Sequence, residues 1–161
     1  MINQVDRSYL ERCVELAELA LEKGDAPFGS ILVSQDGVTL FEDHNRISDG
    51  DNTRHPEFEI AKWAAKNLNE DERKNAVVYT SGEHCSMCAS AHGLVGLGRI
   101  VYASSTEQLK KWNEEMGVES GRLQGLSIRE VINDTEVNGP DDFLSEKVKQ
   151  LQYRYQNKKL D

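Results

Sequence analysis

Two short stretches carry residues whose types and spacing could do chemistry. His55-Pro56-Glu57 reads H-x-E, and Cys85-Ser86-Met87-Cys88 reads C-x-x-C. His55, Cys85 and Cys88 supply three zinc-type ligands, and Glu57 is a carboxylate that the metal does not need. Three protein ligands leave a fourth position for water, which separates a catalytic zinc from a closed structural one. Water in that position can titrate near about 7. Glu57, two residues beyond His55, is placed to take its proton and pass it on as general base and then acid. The pattern predicts a zinc hydrolase. The competing reading is a structural zinc knot, which needs a fourth ligand from His84, His92 or Cys13. A metal-free redox C-x-x-C leaves His55 and Glu57 unexplained. Glu59, one turn from His55, is the alternative base and reads more simply as a solvated helical residue.

Both motifs must be held at helix starts. Pro56 suits a first helical turn, and Phe58, Ile60, Ala61, Ala64, Ala65 and Leu68 give residues 56–68 an apolar side. The second motif follows a buried strand at 76–80 and opens a helix over 86–97. Backbone N–H groups at a helix start favour negative charge and lower a cysteine pKa, and metal binding needs thiolates. Ahead of the motifs, Leu10, Cys13, Val14, Ala17, Ala20 and Leu21 recur at helical spacing over 6–23. Cys13 sits in that stripe and reads as a small buried hydrophobe. Residues 28–34 and 38–41 form a hairpin around Gln35-Asp36-Gly37. A charged linker at 69–75 leads to the strand at 76–80. After the second motif come a strand at 99–103, a helix at 106–116, an extended segment at 128–132 and a closing helix at 142–157. Such alternation predicts one α/β layered domain over 1–161.

Composition narrows the partners. The chain has 161 residues, 28 acidic against 19 basic, and a formal net charge of -9. That balance opposes binding to a phosphate backbone and favours a small-molecule substrate. The basic residues of the tail, Lys147, Lys149, Arg154, Lys158 and Lys159, alternate with acidic ones and read as a solvated helix face. No apolar run is long enough for a membrane span, and Met1-Ile2-Asn3-Gln4-Val5-Asp6 lacks a signal-peptide pattern. A cytoplasmic protein with reduced cysteines is expected.

His55-x-Glu57 followed by Cys85-x-x-Cys88 resembles the zinc site of the cytidine and deoxycytidylate deaminase superfamily, with its H-x-E and P-C-x-x-C signature. The flanking stretches Ala26-Pro27-Phe28-Gly29-Ser30-Ile31-Leu32-Val33 and Met87-Cys88-Ala89-Ser90-Ala91 resemble it too, so the likeness spans residues 8 to 104. It implies a three-layer α/β/α sandwich with a mixed five-stranded sheet. It also implies hydrolytic release of ammonia from an amino-substituted nitrogen heterocycle. Carried over by position, His55, Cys85 and Cys88 hold one zinc per chain and Glu57 shuttles the proton. Asn45 falls where relatives place an asparagine that hydrogen-bonds the substrate, and Phe28-Gly29 and Ser81-Gly82-Glu83 border the base pocket. Three departures stand out: Pro56 for the commoner alanine, His84 for the proline before the first cysteine, and a shorter interval between Asn45 and His55. Pro27-Phe28-Gly29 looks most like the guanine deaminase branch, which implies a guanine-type purine first and a cytosine-type pyrimidine next. Asn45-Arg46 echoes the transfer-RNA adenosine deaminases, which the charge balance disfavours. Glu114 or Glu115, beside Trp112, is a candidate to hydrogen-bond purine ring N–H groups. Trp63 and Trp112 read as core or as stacking surfaces. Tyr153 and Tyr155 could close the pocket from their own chain or a neighbour's, the resemblance implying a homodimer. The reading from another class is a non-enzymatic zinc-stabilised module.

Overall fold

Side-chain parity along the strands sorts the core into two faces. The computed structural model describes residues 1–160. In β1 (Gly29–Val33) every residue is buried, because helices cover both sides of this central strand. Ile31 and Val33 pack with Leu10, Cys13 and Leu16 of α1 (Gln4–Glu22), while Leu32 packs with Ile60, Ala61 and Ala64 of α2 (Pro56–Asn67). β3 (Val77–Gly82) repeats the pattern, with Tyr79 on the α1 side and Val78 on the α2 side. The sheet is completed by β2 (Thr39–His44), β4 (Ile100–Ser104) and β5 (Val137–Asn138), in the order β2-β1-β3-β4-β5. β1 is antiparallel to β2 and β3, whereas β3, β4 and β5 run parallel. α1 and α7 (Asp142–Leu160) cover one face, and α2 and α4 (Ser86–Leu94) lie against each other on the other. This is the three-layer sandwich with a mixed five-stranded sheet that the resemblance implied.

Gly29 lets α1 lie directly on the sheet. A Cβ there would sit 2.5 Å from Leu16 Cβ and 2.7 Å from Ala17 N. Cys13, on the same helix face, is fully buried in that contact, as its apolar stripe predicted. Among the described residues no helix is long and apolar enough to cross a membrane.

Three local expectations are corrected by helix caps. α1 begins at Gln4 because Asn3 and Asp6 form a reciprocal capping box. The charged linker at 69–75 is largely α3 (Glu70–Asn75), started by the same device between Asn69 and Glu72. Residues 128–132, expected to be extended, instead form the single turn α6 (Ile128–Val131). Ser127 and Glu130 cap it, and Glu83 Oε2 accepts a hydrogen bond from Ile128 N at 2.8 Å. The cap outweighs the β-branched residues, and the fifth strand falls later, at Val137–Asn138.

Candidate active site

His55 and Cys85 occupy equivalent places, each the extended residue that precedes a helix, α2 and α4 respectively. Because the two helices pack side by side, their starts converge. Cys88 lies one turn into α4. The sulfurs of Cys85 and Cys88 each lie 3.6 Å from His55 Nδ1, and all three donor atoms fall within 4.8 Å of one another. Zinc bonds of about 2.3 Å to sulfur and about 2.0–2.1 Å to nitrogen, at tetrahedral angles, put such donors about 3.6 Å apart. The trio fits zinc. Among the described residues the cluster stops at these three donors. The ligands that a closed knot would need, His84, His92 or Cys13, do not join it.

The two sulfurs hold one proton between them. Cys85 is lowered to about 4, first by the hydrogen bond from Cys88 and against the effect of burial, with help from His55. Cys88 is pushed up by the same hydrogen bond seen from the donor, by burial and by Glu57. The pair therefore presents one thiolate before any metal arrives. His55 is raised, chiefly by its hydrogen bond to Cys85 and against burial.

Glu57 sits in the first turn of α2 and is 6% exposed. Ser30 on β1 and Thr80 on β3 are register partners of even parity, so both point to the α2 side. Their hydroxyls donate to Glu57 Oε1 at 2.8 and 2.7 Å. Burial raises the Glu57 carboxyl above its ordinary range, and the Thr80, His55 and Ser30 interactions only partly offset this. Sequence reasoning passed over Ser30 and Thr80. The available signal was a hydroxyl at alternate positions of two otherwise apolar strands. Glu59 faces Lys62 at 3.0 Å and Arg54 at 3.6 Å and does not line the cavity.

A cavity of about 180 Å³ opens over this cluster, lined by His55, Glu57 and Cys85 below and by Phe28, Asn45 and Leu109 at the sides. Its roof is residues 123–126, part of an irregular strap between α5 (Thr106–Glu115) and α6. Asn45 is buried at the end of β2. Its backbone N–H donates to Phe28 O at 2.9 Å, and its Oδ1 accepts from Ile47 N at 3.1 Å. Phe28 packs its ring over Gly82, where a Cβ would come within 3.1 Å. Glu83 borders the cavity, but its carboxylate accepts from Thr106 N (2.9 Å) and Ile128 N (2.8 Å), fastening the starts of α5 and α6 together. Glu114 is not brought to this cavity; it lines a separate groove beyond the strap. Trp112 is core, Trp63 stacks on Phe41 at 5.5 Å, and Tyr153 and Tyr155 pack on the α1 side of the sheet, away from the cluster.

His84 is 1% exposed, with neither ring nitrogen hydrogen-bonded among the described residues, and meets His92 edge-on at 5.4 Å. It is neither a surface residue nor a hydrogen-bonding support for the cysteines. His92 packs in the core and hydrogen-bonds Gly98 O at 2.7 Å. His44 is buried at the end of β2.

The layered sheet, the three-donor centre at paired helix starts and the buried carboxylate beside it define a zinc hydrolase. Residues 3–104 match the model for the cytidine and deoxycytidylate deaminase zinc-binding region, and the chain belongs to that family. It is thereby a zinc-dependent hydrolytic deaminase of the nucleobase or nucleoside kind. It is 30% identical over 116 residues to a probable cytosine deaminase of Schizosaccharomyces pombe, covering 72% of this chain and 70% of that one. It is 29% identical over 106 residues to a tRNA-specific adenosine deaminase of Buchnera aphidicola, covering 66% and 70%. Among solved structures, guanine deaminase from Bacillus subtilis superposes with a TM-score of 0.59 at 27% identity, covering 68% and 69%.

Proposed function

We propose that this chain deaminates a free amino-substituted nucleobase. The cavity over Glu57 carries the reading. At about 180 Å³ it is smaller than the roughly 300–1,000 Å³ that accommodates drug-sized ligands, and residues 123–126 of the strap line it. A cytosine-type aminopyrimidine is the first substrate, supported by the size of the cavity and by the likeness to the fission-yeast protein. A guanine-type purine is the second, supported by Pro27-Phe28-Gly29 and by the likeness to the Bacillus protein. It loses one support because Glu114 faces another groove.

His55, Cys85 and Cys88 would hold the zinc, which when bound would supply a water that is nucleophilic at neutral pH. Glu57 would carry two protons in turn, the first from the water to the ring nitrogen and the second from the hydroxyl left on the ring carbon to the amine, which departs as ammonia. Ser30 and Thr80 hold the carboxylate while its charge changes. Each hydroxyl has a second acceptor within reach, Ser30 the Thr80 oxygen at 2.8 Å and Thr80 the Gly82 carbonyl at 2.9 Å, so neither is stranded when Glu57 takes a proton. Phe28, Leu109 and Leu126 give the base apolar walls and keep bulk water out, and Asn45 offers it an amide.

The test is ammonia release by the zinc-loaded chain from cytosine, guanine, adenine and their ribonucleosides. Turnover of a free base at least tenfold more efficient than of its nucleoside is expected. Turnover confined to adenosine in transfer RNA would overturn the proposal.

A further inference from the structure

The strap that roofs the cavity separates two spaces. On one side lies the cavity over Glu57, about 180 Å³; on the other lies a groove of about 640 Å³ lined by Lys110, Asn113, Glu114 and Arg122. Leu123, Gln124, Gly125 and Leu126 line both, together with Thr106 and Leu109 of α5, so these six residues form the partition. Asn113 Oδ1, buried in the groove wall, has no hydrogen-bond partner among the described residues.

The strap is loosely built but firmly tethered. Residues 121–125 are all exposed, Leu123 at 67%, which is unusual for an apolar side chain that lines a substrate cavity. Between Val118, whose N–H reaches Asn113 O, and Ser127, the backbone makes a single internal hydrogen bond, Leu126 N to Gln124 O at 2.9 Å. The downstream end is held by Glu83, which ties Ile128 N to Thr106 N. A segment with exposed side chains and few hydrogen bonds opens at low free-energy cost.

Building on the reading of this site as a free-base deaminase, we propose that Leu123 is its size filter and Glu83 the positioning residue that holds the filter in place. With Leu123 seated, the cavity admits a base alone. With it removed, the cavity and the groove join, and a base carrying a sugar places the sugar beside Lys110, Asn113 and Glu114. Because Leu123 is mostly exposed, shortening it does not threaten the fold.

The experiment measures dissociation constants of cytosine and cytidine, and of guanine and guanosine, by equilibrium dialysis. It uses the zinc-loaded full chain carrying Glu57→Gln, so that nothing is turned over. Adding Leu123→Ala should raise the affinity for nucleoside relative to base by at least about tenfold, the scale on which an apolar wall discriminates by size. Glu83→Gln, which weakens one tether, should shift the ratio in the same direction by less. Wild-type kcat/KM for the same four compounds separates the two claims. Turnover of a base together with a nucleoside-to-base ratio that Leu123→Ala leaves within twofold would overturn the filter and spare the function. Binding of none of the four would overturn both.

Discussion

Asp6 and Glu57 are both buried carboxylates on opposite faces of one sheet, and neighbouring residues of β3 serve them. Tyr79 points to the α1 side and donates to Asp6 at 2.8 Å; Thr80 points to the α2 side and donates to Glu57 at 2.7 Å. Asp6, 2% exposed, also receives a two-pronged contact from Arg99 at 2.8 and 3.0 Å and a backbone N–H from Asn3. Burial pushes its carboxyl up, but Arg99, Asn3 and Tyr79 together outweigh this and hold it below the usual range. Glu57 has two neutral hydroxyls on one oxygen and no facing arginine or lysine in hydrogen-bond contact, so burial wins and its carboxyl is raised. Full compensation makes a structural anchor, whereas partial compensation leaves a carboxyl with a raised affinity for a proton, as a proton carrier requires.

The contrast is broken most sharply at Glu57. Glu57→Gln keeps the volume and an oxygen for Ser30 and Thr80 but cannot take a proton. Ammonia release should fall by about 10²–10⁴-fold, the usual contribution of a placed general acid–base. Zinc, by elemental analysis, should stay at one per chain, and the denaturation midpoint should hold or rise. A variant retaining more than a tenth of the wild-type rate would remove Glu57 from the proposed proton path.

Asp6→Asn should do the reverse. Breaking a buried, paired charge costs about 3–5 kcal/mol, and the lower end applies because Arg99 keeps Glu136 at 3.3 Å. Urea unfolding should register that loss while kcat of the folded enzyme stays the same. The sign with pH follows from the lowered carboxyl. The stabilisation from Asp6 is complete above its unfolded value of about 3.9 and disappears as pH falls through the lower folded value. The stability difference between wild type and Asp6→Asn should therefore shrink on acidification below about pH 4; a difference that grows there would refute the assignment.

The metal ligands sharpen the comparison on a smaller scale, because they too share an incompletely compensated charge. With Cys85 already a thiolate and Cys88 holding the shared proton, zinc binding should expel about one proton from the sulfur pair. As pH falls, His55 takes up a proton of its own, and the number released should climb toward about two. Titration calorimetry in buffers of different ionisation enthalpy reads this directly. Release of two protons well above neutral pH would mean that both cysteines begin as thiols.

Legibility in the sequence depended on whether a feature is local. His55, Glu57, Cys85 and Cys88 were legible because ligand spacing and helix starts are written in short stretches. The mixed five-stranded sheet was implied by resemblance rather than by period, and its strand order was not legible. Ser30 and Thr80 were not legible as a pair, since their meeting depends on the register between β1 and β3. The position of Glu83 beside the cavity was legible, and its hydrogen-bond partners were not. Adjacency to Cys85 puts it by the cavity, while its two oxygens answer to amides that fold back from residues 106 and 128. Glu114 failed because the strap intervenes, and nothing in its spacing shows where an irregular segment runs. The turn at 128–131 was missed although Ser127-x-x-Glu130 signals it as a capping box.

His84 extends the series from full through partial to no compensation. Both its nitrogens lack partners among the described residues, and burial drives its pKa well below the ordinary range, so it is held as a neutral imidazole. An unpaired buried polar group costs about 1–3 kcal/mol, whereas an apolar group of similar shape in its place is close to neutral or stabilising. His84→Leu should therefore leave the urea midpoint unchanged or raise it, and His84→Ala, which empties the volume beside His92, should lower it by about 2 kcal/mol or more. Neither change removes a metal donor, so zinc affinity by competition with a chelator should move by less than about tenfold, the lower bound for losing a true outer-shell partner. If His84→Leu instead costs more than about 1.5 kcal/mol, beyond what a volume-conserving swap explains, the ring has a partner in solution and belongs with Asp6 rather than at the far end of the series.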